Sequence, residues 1–285
     1  MKAYICVLTS DNYHEGVLVL ARSLAATRPA FPLYALLTAD VAESVRARLE
    51  KAGLICLRSE KSLEFPATAV TANRMPHWNK TLSKLLIFDL VQFEKLVYLD
   101  ADMMILSNID NLFEAPNLSA VNAGGMLEEF ASWRELNSGL LVIEPRAGLS
   151  AEILAQLPAV IAARDMFGDQ DLINFNYPSW PQNTSLHLPH GYNMLVQHAD
   201  RYRKRMGFSA SCDVSVEQRI YIVHFAMEKP WLQSYRRLVG DMLHALTLRN
   251  WVYCYFMAGY LGLLLQVRLR GYWQYCVGLF KRAQH

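Results

Sequence analysis

Short unbroken apolar runs alternate with amphipathic stretches through the first half of the chain. AYICVLT at 3–9, FPLYALLTAD at 31–40 and the run at 54–57 read as strands, and the segments between them, 16–26 (GVLVLARSLAA) and 41–52, carry helical spacing. Runs that are apolar throughout predict strands covered on both faces, and strand–helix alternation predicts a mostly parallel sheet between layers of helices. Residues 58–79, with Pro66 and Pro76, read as a loop, and 81–92 (TLSKLLIFDLVQ) read as a helix. KLVYLDADMMIL at 95–106 reads as a buried strand with acids at its end. NSGLLVIEP at 137–145 is another strand, 149–164 a helix, and GDQDLINF at 168–175 a helix start with acids in its first turn, where the helix dipole favours them. After a loop over 176–194, IYIVHF at 220–225 is one more strand, stopped by the proline of EKPW.

Beyond Asp241 the chain contains no acid, while Arg249, Arg268, Arg270, Lys281 and Arg282 are basic and 250–267 is uncharged and rich in aromatic residues, Leu and Met. About 20 apolar residues cross a bilayer, so the stretch sits at the limit. Three readings stay open for it: a helix packed on its own core or in a homo-oligomer contact, a segment lying in a membrane interface, or a spanning helix. A length of 285 residues fits one large α/β domain or two smaller ones. With 28 Lys plus Arg against 26 Asp plus Glu, no nucleic-acid partner is expected. Five scattered cysteines without a CxxC pair point to buried free thiols in a reducing compartment, and the N-terminal apolar run is short for a secretory signal, so a cytoplasmic location is expected. Neither a Walker A loop nor a GxGxxG fingerprint is present, which argues against P-loop and nicotinamide-dehydrogenase chemistry.

Asp100 and Asp102 flank Ala101 where the 95–106 strand reaches its acids. Open α/β sheets bind ligands at the carboxyl ends of their strands. Hard divalent cations take oxygen ligands, often a few carboxylates plus substrate phosphates, and such an ion neutralises a diphosphate leaving group. A D-x-D triplet by itself also occurs in solvated turns. His224, ending IYIVHF, reads either as a metal ligand or as a hydrogen-bonded core histidine, and Lys229 either as a phosphate contact or as a surface group.

In their order along the chain, LTSDNYHEGVLVLARSL at 8–24, SKLLIFDLVQFEKLVYLDADMMILSNIDNLF at 83–113, NSGLLVIEP, GDQDLIN at 168–174, GYN at 191–193 and VHFAMEKPW at 223–231 resemble glycosyltransferase family 8 over about residues 3–232. These are the retaining GT-A enzymes that include glycogenin and galactinol synthase. The resemblance implies a single GT-A domain over 1–235, a Rossmann-like mixed, mostly parallel sheet with helices on both faces, followed by a helical, aromatic and basic extension over 236–285. It implies that Leu8, Thr9 and Tyr13 bind uridine, with Tyr13 stacking on the base. By the same resemblance Asp100, Asp102 and His224 hold Mn²⁺ or Mg²⁺, with Ala101 lining the cofactor site between the two acids, and Lys84 and Lys229 approach the donor phosphates. Asn137 and Ser138 lie under the transferred sugar, and Asp169 and Gln170 meet its hydroxyls and reacting face, so Asp169, Gln170, Asn137 and Lys84 form the implied catalytic set. The implied reaction moves glucose or galactose from a UDP-sugar, with retention, to a saccharide, polyol, lipid-linked or protein hydroxyl. Self-glucosylation, UDP-sugar hydrolysis and a membrane-peripheral binding protein with a decayed site are the alternatives. The chain departs from the family twice: no glycine lies between His224 and KPW, which bears on how that loop approaches the phosphates, and Glu129 is the one candidate substitute for an aspartate upstream of NSG, which bears on the identity of the donor sugar.

Overall fold

The computed structural model describes residues 1–67, 76–227 and 229–282, the side chains of 76–78 and 270–282 excepted. Residues 68–75 of the expected 58–79 loop, Glu228 of the His224–KPW link, Cys276, and the side chains of Arg270, Lys281 and Arg282 therefore lie outside the described residues.

The alternating first half folds as β1 (Lys2–Leu8), α1 (His14–Ala26), β2 (Leu33–Leu37), α2 (Glu43–Lys51) and β3 (Ile55–Arg58). β4 (Lys95–Leu99) and β6 (Leu140–Ile143) complete a sheet of order β3-β2-β1-β4-β6, parallel except for β6, which runs against β4. Both faces are covered, as the unbroken apolar runs require. Tyr4, Cys6 and Leu8 of β1 pack with Val17, Leu20 and Leu24 of α1, while Ala3 and Ile5 pack with Leu82, Leu85, Phe88 and Leu172 on the other side.

The segment expected as a helix over 81–92 is helical, but it is a 3-10 helix spanning Pro76–Asp89. Residues three apart eclipse in that winding. Leu82, Leu85 and Phe88 thus form one fully buried edge, and Thr81 and Lys84 form the next edge, which faces the site described below. The expected helix over 149–164 breaks into α3 (Leu149–Leu154) and α4 (Leu157–Ala163), because Pro158 fits only a helix's first turn. α5 (Asp169–Asn176) follows.

The run at 95–106 is two strands in different sheets. After β4 the chain turns through Asp100–Asp102 into β5 (Met103–Ile105), which pairs with β8 (Ile222–His224). β8 also pairs with the short β7 (Met194–Leu195), giving a second sheet of order β5-β8-β7. α6 (Ala199–Met206), α7 (Tyr235–Thr247) and the long α8 (Trp251–Arg282) pack around it. α8 lies on α1, and its Met257, Tyr260 and Leu264 are fully buried there or against the second sheet.

Candidate active site

In the main sheet β2 lies on one side of β1 and β4 on the other, so the strand order reverses between β1 and β4. The carboxyl ends of strands at such a reversal leave a crevice where ligands bind. Asp100 follows Leu99 directly into it. Three local features converge there. β6 begins opposite Leu99, which brings in the Asn137–Gly139 loop, and the Asp100 amide donates to the Gly139 carbonyl at 2.9 Å. The β5–β8 register sets His224 opposite Met103. Finally, α1 packs on the turn through Gly16, where a Cβ would come within 2.7 Å of the Ala101 carbonyl oxygen.

Carboxylate oxygens of Asp100 and Asp102 and a ring nitrogen of His224 lie within 4.8 Å of one another. His224 Nε2 is 3.0 Å from Asp102 Oδ1 and 3.8 Å from Asp100 Oδ2. Its Nδ1 lies 2.8 Å from Asn193 Oδ1, and Asn193 Nδ2 donates to Asn137 Oδ1 at 2.8 Å, which fixes the amide and makes Nδ1–H the donor. A neutral ring in this arrangement aims the Nε2 lone pair at two carboxylates. That contact is repulsive unless a proton or a metal cation lies between them. Oxygen–oxygen–nitrogen donors, one of them oriented by a hydrogen bond behind it, suit a divalent metal cation. The backbone makes room for the imidazole: a Cβ on Gly139 would meet His224 Cε1 at 2.7 Å.

The two carboxyls are pushed in opposite directions. Burial raises both, but for Asp102 the opposing pull of His224 and Lys229 is larger and holds it well below the ordinary carboxylate range. For Asp100, burial and the nearby Asp102 outweigh the pull of Lys84 and His224, so its carboxyl is raised. Tyr98 donates to it from the side away from His224. Like charges this close relax when a cation is shared between them.

Lys84, on the 3-10 helix, is buried and sits between acids: its ammonium is 2.6 Å from Asp169 Oδ2 and 3.3 Å from Asp100 Oδ1, and donates to the Ser138 carbonyl at 3.0 Å. Burial pulls its pKa down, but Asp100 and Asp169 outweigh burial and hold it above the ordinary value, so the charge stays. Ser138 Oγ donates to Asp169 Oδ2 at 2.7 Å and the Ser138 amide to Gln170 Oε1 at 3.2 Å. Asp169 and Gln170 open α5, where Asp171 accepts from the Gly168 amide at 2.8 Å and leaves the first two side chains directed at the crevice loop. Lys229 pairs with Asp102 and donates to the Ala226 carbonyl at 2.8 Å.

Asp100, Asp102, His224, Lys84, Lys229, Asn137, Ser138, Asp169 and Gln170 thus form one connected polar network. Leu8 ends β1 at the same sheet edge, where its carbonyl accepts from Thr38, and Thr9 follows it. Tyr13 lies edge-on to Trp231 with ring centroids 5.6 Å apart, and burial together with nearby Asp102 and Asp100 raises its pKa against the pull of Lys229. Glu129 is not part of the network; Arg201 pairs with it and holds its carboxyl at about 2. Reading the sequence left three participants without a role. Asn193 orients His224, and its only signal was the GYN triplet. Tyr98 lies two residues before Asp100 on the same face of β4. Trp231 donates from Nε1 to the Asn12 carbonyl at 2.8 Å and so ties the KPW element to the loop that carries Tyr13.

A family model described as Glycosyl transferase family 8 matches residues 4–234. Glycogenin-1 of Oryctolagus cuniculus is 32% identical over 239 residues, covering 82% of this chain and 66% of that protein. Galactinol synthase 1 of Solanum lycopersicum is 28% identical over 222 residues, covering 72% of this chain and 68% of that protein. The chain therefore spans about two thirds of the length of these relatives. Among solved structures, the galactosyltransferase LgtC in complex with donor and acceptor sugar analogues superposes with a TM-score of 0.60 at 14% identity, over 93% of this chain and 96% of that one, which shows a shared GT-A fold.

Proposed function

Because the chain belongs to glycosyl transferase family 8, we propose that it transfers a hexosyl group, glucose or galactose, from a UDP-sugar to a hydroxyl acceptor with retention at the anomeric carbon. The observation that carries this reading is the convergence of Asp100, Asp102 and His224 on one point at the sheet reversal, beside two buried or half-buried lysines. The names of the relatives, a glycogenin and a galactinol synthase, support a hexose donor.

Asp100, Asp102 and His224 would hold a divalent cation, Mn²⁺ or Mg²⁺, that when bound neutralises charge on the donor diphosphate. Lys229 pairs with Asp102 and would exchange that carboxylate for a phosphate oxygen of the donor. Lys84 keeps its charge and presents it from the floor of the crevice, so that negative charge growing on the leaving UDP meets cations already in place. Asn137, Ser138, Asp169 and Gln170 hold the sugar's hydroxyls. Tyr13, beside Trp231, offers a ring face for uracil, and Leu8 and Thr9 offer backbone groups at the strand edge. Asp100, Asp102 and Asp169 lie on one side of the crevice, each paired with a lysine, Lys84 or Lys229. Proton transfer from the acceptor to a donor phosphate oxygen on the same face fits this one-sided layout. The four described cysteines, Cys6, Cys56, Cys212 and Cys254, are free thiols, which suits a reducing, cytoplasmic compartment, although of these only Cys6 and Cys254 are buried as expected, Cys56 being half-buried and Cys212 exposed.

The test is a donor screen. UDP-glucose, UDP-galactose and other UDP-sugars are incubated with Mn²⁺ and a panel of saccharide, polyol, lipid-linked and protein acceptors, and product mass and anomeric configuration are read. A retained hexose on an added acceptor supports the reading. Release of free sugar only, or hexose attached only to the chain itself, replaces it by hydrolysis or self-glucosylation.

A further inference from the structure

Over Trp251–Leu269 the helix α8 is apolar on all its sides except for Gln266 and Arg268 near the end. A helix of that kind needs an apolar partner on every side. Its inner side has one: Phe256, Met257, Tyr260 and Leu264 are buried against α1, Phe225 and Trp231. Its outer side has none among the described residues. Trp251, Tyr255, Leu265 and Leu269, spaced with Ala258 and Gly262 at alternating intervals of four and three residues, form one exposed stripe, and the four large side chains are 49–68% exposed. α7, packed against α8, adds exposed Val239, Leu243 and Leu248. Solitary exposed apolar residues are ordinary; a stripe of this length marks a contact surface.

Charge identifies the partner. Arg203, Lys204 and Arg205 are exposed at the end of α6, which packs on α8, and the Lys204 ammonium reaches the carbonyl of Arg249, in the turn that starts α8, at 3.5 Å. The basic cluster therefore lies beside the start of α8, which Trp251 opens. Asp200 pairs with Lys204 at 2.6 Å, but Arg203 and Arg205 leave the cluster net positive, and no acid follows Asp241. A second copy seated on this stripe would set two net-positive clusters against each other. An anionic lipid surface would neutralise the cluster, accept the leucines into its acyl boundary and hold Trp and Tyr at headgroup level. Crossing the bilayer is disfavoured, because it would withdraw Phe256, Met257, Tyr260 and Leu264 from the core they fill.

We propose that the outer face of α8, from Trp251 to Leu269, seats on the surface of an anionic bilayer with its axis along the membrane plane. The interaction is independent of catalysis, so its test needs no donor. Full-length protein is floated with phosphatidylglycerol–phosphatidylcholine vesicles and with phosphatidylcholine vesicles, alongside Trp251→Ser/Tyr255→Ser/Leu265→Ser and Arg203→Gln/Arg205→Gln variants. Folding of each variant is checked by circular dichroism and thermal melting, and oligomeric state by light scattering. The expected result is binding to the anionic vesicles, at least about tenfold weaker binding to neutral ones, and at least about tenfold weaker anionic binding for each folded variant. Absence of wild-type flotation on the anionic vesicles overturns the proposal. So does a wild-type dimer that the serine variant dissociates without any change in flotation, which would assign the stripe to a second copy.

Discussion

At the residue scale the site depends on orientation as much as on the ligands themselves. Asn193 accepts from His224 Nδ1–H and so presents Nε2 to the two aspartates. Asn193→Ala frees the ring and leaves the carboxylates intact. Mn²⁺ affinity measured by calorimetry is expected to fall about 10–100-fold, the usual effect of removing a partner behind a ligand, with the thermal stability of the metal-free protein changed far less. His190 makes a second prediction, about stability. Burial, with a smaller push from His187, lowers its pKa to about 4 from the ordinary 6.5. Below pH 6.5 the unfolded chain therefore takes up a proton before the folded one does. The stability His190 contributes is full above pH 6.5 and is lost as pH falls from 6.5 to about 4. Urea unfolding across that window is expected to show a loss of about 1–3 kcal/mol that is reduced in His190→Gln. Asp100, Asp102 and His224 were legible as ends of apolar runs, Lys229 as one of two readings of the residue after them, and Lys84 only through the family resemblance. Asn193 was not, because an asparagine two residues after a glycine looks like a turn whether or not its amide supports a ligand.

At the element scale, the C-terminal helix does more than complete a core. Tyr260 packs on Phe225 with ring centroids 4.5 Å apart and on Trp231 at 6.3 Å. Arg268 makes a two-pronged bridge to Glu15 and donates to the Trp231 carbonyl at 3.1 Å. Trp231 in turn holds Asn12 and borders Tyr13. A helix outside the matched family region thus braces the loop expected to receive the nucleotide. Tyr260→Ala is expected to raise the donor KM by about 2–10-fold, the worth of a lost aromatic contact, with a smaller change in kcat. Tyr260→Phe keeps the ring, restores the donor KM, and removes a hydroxyl buried without a hydrogen-bond partner, so its melting temperature should be equal or higher. The alternation of strands and helices in 3–58 was readable because each element's period is local. The 95–106 run was read as one strand because nothing in its apolar pattern marks a change of sheet. Only the β5–β8 pairing, between residues more than a hundred positions apart, separates it. The 3-10 winding of 76–89 is visible afterwards in the three-residue spacing of Leu82, Leu85 and Phe88, a spacing that an α-helix also uses.

At the scale of the whole molecule, one mostly parallel sheet supplies the nucleotide end of the crevice, while a small second sheet brings in His224 and supports the tail. The tail's composition left its place open among core, interface and membrane, since a uniformly apolar helix satisfies all three. The fold divides them by face: the inner side is core and the outer side is exposed. A chain ended near residue 235 would lose Leu238, Phe256, Met257, Tyr260 and Leu264 from the third core cluster. Each buried side chain of this size is worth about 1.5–3 kcal/mol, comparable in total to the net stability of a domain. Such a chain is expected to lack a cooperative thermal transition by calorimetry, whereas retention of a wild-type melt would show that the tail is dispensable to the fold.

The central claim is that Asp100, Asp102 and His224 hold a divalent cation against a diphosphate. Calorimetric titration with UDP tests it most directly, in Mn²⁺ and in EDTA, for wild type and for Asp100→Asn/Asp102→Asn. The account predicts wild-type binding at least about 100-fold tighter with Mn²⁺ than without it, and loss of that difference in a folded double variant. Equal Mn²⁺ dependence in the two proteins would contradict it.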